Sequence, residues 1–332
     1  MPCGYRRRKN CSAAPKVWWA VTTVKVPAAH VTRIIPSVAM EFRWRAKIKP
    51  YLLLVPSLVF LATFTYYPMV LALWQSLFYK ALGEETYSYV GFGNYVQMFN
   101  DEKFHAAVLN NVVYAIGTML PSIVLALLFA LLLSNSTRFN NFVRALLFFP
   151  TLIPLVAAAS LWWFIFLPYV GLLDYYLAKL AVESPDWLGD PDIALYSLMM
   201  LTVWKNAGYY MLFFVAGLQV IPQDCLEVAS LEGANWWKKL CYVILPLLRP
   251  TTVFVVIIAL IQVLGNVDHV IVMTKGAPSD STYLMLFYIY QTIHESYDTG
   301  RAAAATVVTL GALLCLSVVS IRGLERGIHY EA

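Results

Sequence analysis

Six stretches of this chain run for about twenty residues or more with almost no charge, at about 51–79, 112–133, 145–168, 193–220, 251–272 and 302–321. A run of ~20 apolar residues is what a helix needs to cross the ~30 Å of hydrocarbon in a bilayer. Inside that hydrocarbon the backbone must satisfy its own hydrogen bonds, which leaves helices or a closed barrel. Runs this long and this uniformly apolar read as helices. The chain is only 13% charged, against roughly 25% for an ordinary soluble domain. The expected fold class is therefore an all-α integral membrane protein with six transmembrane helices. The expected layout is a basic tail over 1–49, a transmembrane domain over 50–322 and a short tail over 323–332.

Orientation follows from the basic residues, which accumulate on the cytoplasmic side. With the N-terminus inside, the inside segments carry eleven Lys and Arg in 1–49, then Arg138 and Arg144, then Lys238, Lys239 and Arg249, then Arg322 and Arg326. The outside segments carry Lys80, Lys103, Lys179, Lys275 and Arg301 only. Both termini are expected in the cytoplasm. The tail over 1–49 holds Arg6, Arg7, Arg8 and Lys9 and no apolar run long enough for a signal-peptide core. It reads as a segment attracted to anionic lipid headgroups, or as sequence upstream of a physiological start at Met40. The five cysteines form no CxxC spacing, so neither disulfides nor a metal site are expected.

The inside segment between the fourth and fifth runs, residues 221–250, is the longest charged interruption in the second half. Pro222 suits the first position of a helix, where no backbone donor is needed, and Gly233 suits a left-handed exit. Ile221, Cys225, Val228 and Leu231 mark an apolar stripe, with Gln223, Glu227 and Ser230 opposite. Asn235 is placed to cap a second short helix bearing Trp236, Leu240 and Val243, closed by Pro246 and Pro250. The pattern predicts an amphipathic hairpin lying against something rather than a span.

Polar residues inside spans are expensive and therefore informative. Lys205 and Asn206 lie well within the fourth run, and a lysine near the middle of a span costs ~2.5–3.5 kcal/mol on insertion scales. In the fifth run Gln262, Asn266 and His269 fall at i, i+4 and i+7, on one helical face, with Asp268 alongside. Two readings stand: a polar lining of a translocation path, or interhelical hydrogen bonds and a span end in interfacial water. Tyr209 and Tyr210 serve either as wall or as packing, and Asn111 opens the second span. Outside, Gly91, Gly93 and Asn94 predict a turn before a short surface helix with Tyr95, Met98 and Phe99 on one side. The segment ending DWLGDPD predicts a compact loop.

Glu227-Val228-Ala229, Glu232-Gly233-Ala234, Val243, Leu245-Pro246 and Pro250 together resemble the EAA loop of permease subunits of binding-protein-dependent ABC importers. The family spacing is EAA, three residues, G, nine residues, I, any residue, LP, and it is kept throughout. The departures are Val228 for the first Ala of EAA, Glu232 where Asp often stands, and Val243 for Ile. The run at 142–166, the GLLD at 171–174, the DWLGDP at 186–191, the W-K-x-x-G from Trp204 to Gly208 and the VDHVIVMTKGAP at 267–278 are similar to the carbohydrate-uptake branch. That branch includes maltose-type and glycerol-phosphate-type permeases, and the resemblance covers about residues 45–330. Thr274-Lys275-Gly276-Ala277-Pro278 replaces the branch's usual Thr-x-Gly-Gly-Pro.

The resemblance implies a cytoplasmic coupling hairpin that docks on an ATPase subunit through Glu227, Ala229, Glu232, Gly233, Ala234 and Pro246. It further implies a second permease subunit, two ATPase subunits and an extracytoplasmic solute-binding protein as partners, besides membrane lipid and no nucleic acid. No cofactor is expected on this chain, which lacks a G-x-x-x-x-G-K-[ST] phosphate loop; ATP and Mg belong to the ATPase partners. The implied cargo is a carbohydrate: an oligosaccharide, a monosaccharide, or an anionic relative such as an oligouronide or glycerol phosphate. An ion-coupled carrier needs intramembrane carboxylates, for which Asp268 is the one candidate. A membrane-embedded transferase needs convergent carboxylates, and Glu84 and Glu85 are adjacent rather than convergent.

Overall fold

The computed structural model describes residue 51, residues 53–80 and residues 86–325. The expectations for residues 1–49, Met40 included, for Glu84 and Glu85 and for residues 326–332 lie outside these. The chain divides into two compact units, residues 1–63 and 64–332. Of the first, the described part is the helical stretch that opens α1 (Leu53–Gln75), which carries a π turn at Ala62–Tyr66.

The second unit is helical, with one exception the composition did not foreshadow: Phe78–Tyr79 (β1) pairs antiparallel with Ser88–Tyr89 (β2) in a two-residue ribbon. There follow α2 (Gly93–Phe99), α3 (Glu102–Leu132), α4 (Arg138–Leu152), α5 (Leu155–Ile165) and α6 (Leu172–Lys179). Next come α7 (Ala194–Val220), α8 (Gln223–Leu231), α9 (Trp236–Lys239) and α10 (Leu245–Leu247). The chain ends in α11 (Arg249–Gly265), α12 (Asp268–Met273), α13 (Met285–His294) and α14 (Thr299–Glu325). Among the described residues four helices are long and apolar enough to cross a membrane, and up to six spans result if each of two bent helix pairs counts as one.

Several spans differ in detail from their expected form, each for a local reason. The second begins at Glu102 rather than near 112, because Asp101 caps it by accepting from the Lys103 N–H at 3.0 Å. The third is two helices, α4 and α5, meeting at 97°. Pro154 cannot donate to the carbonyl four residues back, and the residue before a proline is pushed to extended backbone; Ile153 has φ −75° and ψ 128°. The fifth is interrupted where Asn266 is extended (φ −118°, ψ 129°) between α11 and α12. Gln262, Asn266 and His269 therefore do not share one continuous helical face.

The seam between α3 and α7 forms the spine. Along α3 the buried positions Tyr114, Thr118, Ser122, Ala126 and Ala130 recur at four-residue spacing, and all but the first are small. Small residues let helix backbones approach closely in a bilayer. Against them α7 buries Leu198, Leu201, Met211 and Phe214. The opposite side of α3, with Ile116, Leu120, Val124, Leu128 and Leu132, is exposed. So much apolar surface on one chain is what lipid or a partner subunit covers.

At one end of this unit the connections lock to one another. Asn94 Nδ2 donates to the carbonyls of Ser76 and Phe78 at 2.8 and 2.9 Å, which docks α2 rather than leaving it on the surface. Asp101 accepts from Tyr288 Oη at 3.0 Å and from Arg301 Nη1 at 3.3 Å. The expected compact loop is held by Asp174, whose carboxylate accepts from the Ser184 hydroxyl, the Tyr169 N–H and Trp187 Nε1. The Ser184 bond, foremost, holds the Asp174 carboxyl below its usual pKa. That contribution is present above the ordinary carboxylate range and is lost as pH falls through the lowered value. At the other end Arg144 Nε donates to the Leu133 carbonyl at 3.0 Å, capping α3.

One glycine sets a helix contact. A Cβ on Gly208 would lie 1.8 Å from the Leu147 carbonyl oxygen, so α4 and α7 touch backbone to backbone there. Gly208→Ala is expected to cost about 1–3 kcal/mol through forced separation of the two helices. Thermal unfolding of the purified chain checks this. Gly311→Ala, which meets nothing within 4 Å, should leave the midpoint in place.

Candidate functional site

A polar cavity of about 110 Å³ lies where the elbow of the third span and the interruption of the fifth face α7. Its walls are Tyr114 from α3, Thr151 and Leu155 from either side of the elbow, Thr202, Lys205 and Asn206 from α7, Gln262 and Asn266 at the end of α11, and His269 from α12. Among the residues expected on a path, Lys205, Asn206, Gln262, Asn266 and His269 thus come together. The others do not. Asp268 is exposed and Asn111 accepts from the Met285 N–H at 3.3 Å, away from the cavity. Tyr210 is buried in a separate apolar cluster with Met211 and Phe214, and Tyr209 packs edge-on against Phe213.

Lys205 has a defined set of partners. Its Nζ donates to the carbonyls of Pro150 at 3.1 Å, Thr151 at 3.3 Å and Ile153. These oxygens lie at the end of α4; that of Pro150 also accepts from the Ile153 N–H at 3.3 Å, and no further turn of α4 receives the other two. An ammonium carries three donors, and a helix C-terminus carries partial negative charge; the two match. The contact is reciprocated, because Thr151 Oγ1 donates to the Lys205 carbonyl at 3.0 Å.

The interrupted fifth span is satisfied in the same manner. Asn266 Nδ2 donates to the Gln262 carbonyl at 2.7 Å and to Gln262 Oε1 at 2.9 Å. Beneath them Tyr114 Oη lies 2.6 Å from Thr202 Oγ1 and 2.9 Å from His269 Nε2, with the Tyr114 and His269 rings stacked. His269 is buried, and its Nδ1 has no hydrogen-bond partner among the described residues. Tyr114 and Thr202 went unnoticed in the sequence. Thr202 carried a signal, since it stands three and four residues before Lys205 and Asn206 on the same helical face. Tyr114 carried none.

The hairpin over 221–250 has a clean turn. The Gly233 N–H donates to the Ser230 carbonyl at 3.1 Å and the Ala234 N–H to that of Ala229 at 2.9 Å, the pairing of a Schellman motif. Gly233 has φ +76°, and a Cβ there would meet nothing within 4 Å. Its requirement is one of backbone conformation alone. Asn235 caps α9 through the Lys238 N–H at 2.9 Å, and Lys239 Nζ donates to Ser230 Oγ at 2.6 Å, tying the two arms.

Two expectations for the hairpin are corrected. The apolar stripe does not face the body: Ala229 is buried, whereas Val228 is 54% exposed, Leu231 87% exposed and Cys225 exposed. Glu227 and Glu232 are exposed too, while Ala234 is half-buried. Nor do Pro246 and Pro250 close the second arm. A π turn at Leu240–Ile244 shifts the bonding by one residue, the Leu245 N–H reaching the Leu240 carbonyl. Pro246 then opens α10 and Pro250 opens α11, positions that need no donor. The arm runs on into the fifth span.

The family described as "Binding-protein-dependent transport system inner membrane component" matches residues 106–328. This chain belongs to that family. The permease is 30% identical over 285 residues to the sn-glycerol-3-phosphate transport system permease protein UgpA of Agrobacterium fabrum, covering 86% of this chain and 97% of the relative. It is 28% identical over 285 residues to the probable ABC transporter permease protein YurN of Bacillus subtilis, covering 85% and 97%. Its fold matches a chain of a bacterial ABC transporter involved in the import of the acidic polysaccharide alginate, with a TM-score of 0.75 at 22% identity over 86% of this chain and 100% of that one. A second structure, of the alginate transporter in complex with an alginate pentasaccharide-bound periplasmic protein, matches with a TM-score of 0.74 at 21% identity over 85% and 96%.

The Schellman turn predicts a specific sensitivity. Gly233→Ala forces a left-handed Ala at a cost of ~1 kcal/mol and should speed amide exchange over α8 by about fivefold. Hydrogen exchange on the detergent-solubilised permease measures it, with α3 unchanged.

Proposed function

We propose that this permease is one of two related membrane subunits of an ATP-driven importer, working with two ATPase subunits and an extracytoplasmic solute-binding protein. Both termini and the hairpin face the cytoplasm in this reading, as the distribution of Lys and Arg favours. The ATPase subunits bind ATP and Mg; no cofactor is required of this chain.

One observation carries the reading. The hairpin is inserted between the two helices that wall the polar cavity: α7 bears Lys205 and Asn206 and passes into α8 through a 71° bend at Ile221 and Pro222, while the second arm continues into α11, which bears Gln262. From Asn206 to the hairpin is fourteen residues of helix, about 21 Å at 1.5 Å per residue. A displacement of the hairpin by an ATPase therefore moves both walls as rigid rods. The outward Val228 and Leu231 and the exposed Glu227 and Glu232 offer a mixed apolar and acidic surface to that partner.

The cargo is a carbohydrate or an anionic relative of one. Asn206, Gln262, Asn266 and His269 supply amide and imidazole groups suited to hydroxyls, beside the Tyr114 ring. A relative named for sn-glycerol-3-phosphate transport and a fold neighbour that imports alginate favour the same class.

The test is uptake into proteoliposomes holding the complete assembly and its binding protein, with sn-glycerol 3-phosphate, an alginate oligosaccharide and a neutral oligosaccharide as probes. Uptake of at least one probe is expected to require ATP and binding protein. The Glu227→Ala/Gly233→Pro double variant should abolish it with membrane insertion intact. Full uptake by that variant overturns the coupling role. Uptake driven by a proton or sodium gradient without ATP overturns the importer reading.

A further inference from the structure

We propose that Lys205 is a positioning residue and not the receptor for a charge on the cargo: its ammonium caps the carbonyl end of α4, and in doing so fixes the elbow of the third span against α7 and the shape of the cavity wall. This deepens the importer reading and rests on it for its uptake readout alone; the structural readout below does not depend on transport.

Lys205 is the one lysine in the six charge-poor stretches of the sequence, and it lines the cavity, so the obvious reading makes it an anion site. Its geometry argues otherwise. The ammonium has three donors, and the carbonyls of Pro150, Thr151 and Ile153 take them. An incoming carboxylate or phosphate would have to compete with those three carbonyls for the same N–H donors. The charge is also partly offset where it sits, because the end of α4 is the negative pole of a fifteen-residue helix.

The neighbouring residues point to the same role. Three residues beyond Lys205, Gly208 lets α7 approach the Leu147 carbonyl so closely that no Cβ fits. Thr151 Oγ1 returns a bond to the Lys205 carbonyl. Lysine, glycine and threonine thus fasten the last two turns of α4 to one stretch of α7, directly before the 97° elbow. Beyond it, α5 contributes Leu155 to the cavity wall. Releasing the end of α4 frees that wall.

A cap by hydrogen bonding has a signature that a charge receptor lacks: an uncharged donor replaces it. Lys205→Gln retains N–H donors without the charge, Lys205→Arg retains both, and Lys205→Met retains neither. Two measurements follow on the full chain. In the first, the five native cysteines are replaced by serine and spin labels are set at Phe142→Cys on α4 and Leu161→Cys on α5, both exposed. The interlabel distance distribution should be narrow and alike for Lys205, Lys205→Arg and Lys205→Gln, and broadened for Lys205→Met. In the second, the assembled importer is given sn-glycerol 3-phosphate, an alginate oligosaccharide and a neutral oligosaccharide. The maximal uptake rate of whichever probe is carried should fall at least about tenfold in Lys205→Met and stay within about threefold in Lys205→Gln, as expected when a cavity wall is misplaced and then restored.

A Lys205→Met chain with an unbroadened distribution overturns the proposal. So does a KM for an anionic probe that rises at least about tenfold in both Lys205→Gln and Lys205→Met while the elbow distances stay narrow, the result expected of a charge receptor. Should Lys205→Met not insert, the Lys205→Gln and Lys205→Arg comparison decides alone: broadening in Lys205→Gln but not in Lys205→Arg contradicts capping by a neutral donor.

Discussion

A backbone carbonyl inside a bilayer has no water to bond, so a span can be broken only where something else satisfies the freed groups. This permease breaks its third span and interrupts its fifth, and much of its polar interior answers that constraint. Lys205 supplies three bonds at the first break and Asn266 bonds back to Gln262 at the second. Both breaks face α7, and the side chains that satisfy them line the cavity they share. The cost of an intramembrane lysine is offset by the carbonyls at the end of α4 that take its three donors.

The same architecture gives the proposed coupling its mechanical sense. The hairpin is a turn inserted between two long helices, stiffened by the Schellman pairing at Gly233, the Asn235 cap and the bond from Lys239 to Ser230. Its second arm does not stop at its prolines, so no loose joint intervenes between it and α11. In the proposed mechanism motion at the hairpin reaches α7 and, through the contacts of Gly208 and Lys205, the elbow of the third span as well. In that mechanism force enters at one end of α7 and cargo is gripped partway along it.

How far the chain could be read from its residues follows from which signals are local. Charge-free runs locate spans because hydrocarbon thickness alone sets their length, and Pro222, Gly233 and Asn235 locate the hairpin turn because caps are local. The 97° elbow was not legible: Pro154 breaks the helix locally, but the lysine whose ammonium meets the carbonyls there stands more than fifty residues away. Periodicity found the stripe of Cys225, Val228 and Leu231 and assigned it to the wrong side, because a period does not say which face meets its own chain and which meets another. Tyr114 looks like any buried aromatic until α12 brings His269 to it. The i, i+4, i+7 argument gathered Gln262, Asn266 and His269 correctly into one place, though by a break in the helix rather than by its regularity.

Separation of force from specificity along α7 is the central claim, and cargo-stimulated ATP hydrolysis by the reconstituted assembly with its loaded binding protein tests it most directly. Gln262→Ala/Asn266→Ala in the cavity and Glu227→Ala at the hairpin are compared across the concentration of whichever probe is carried. The account predicts that the cavity variant keeps basal hydrolysis while its response to cargo shifts or disappears. It predicts that the hairpin variant loses transport at every cargo concentration, with no shift in the half-saturating one. A cavity variant that responds to cargo as the native permease does, or a hairpin variant that couples normally, would contradict it.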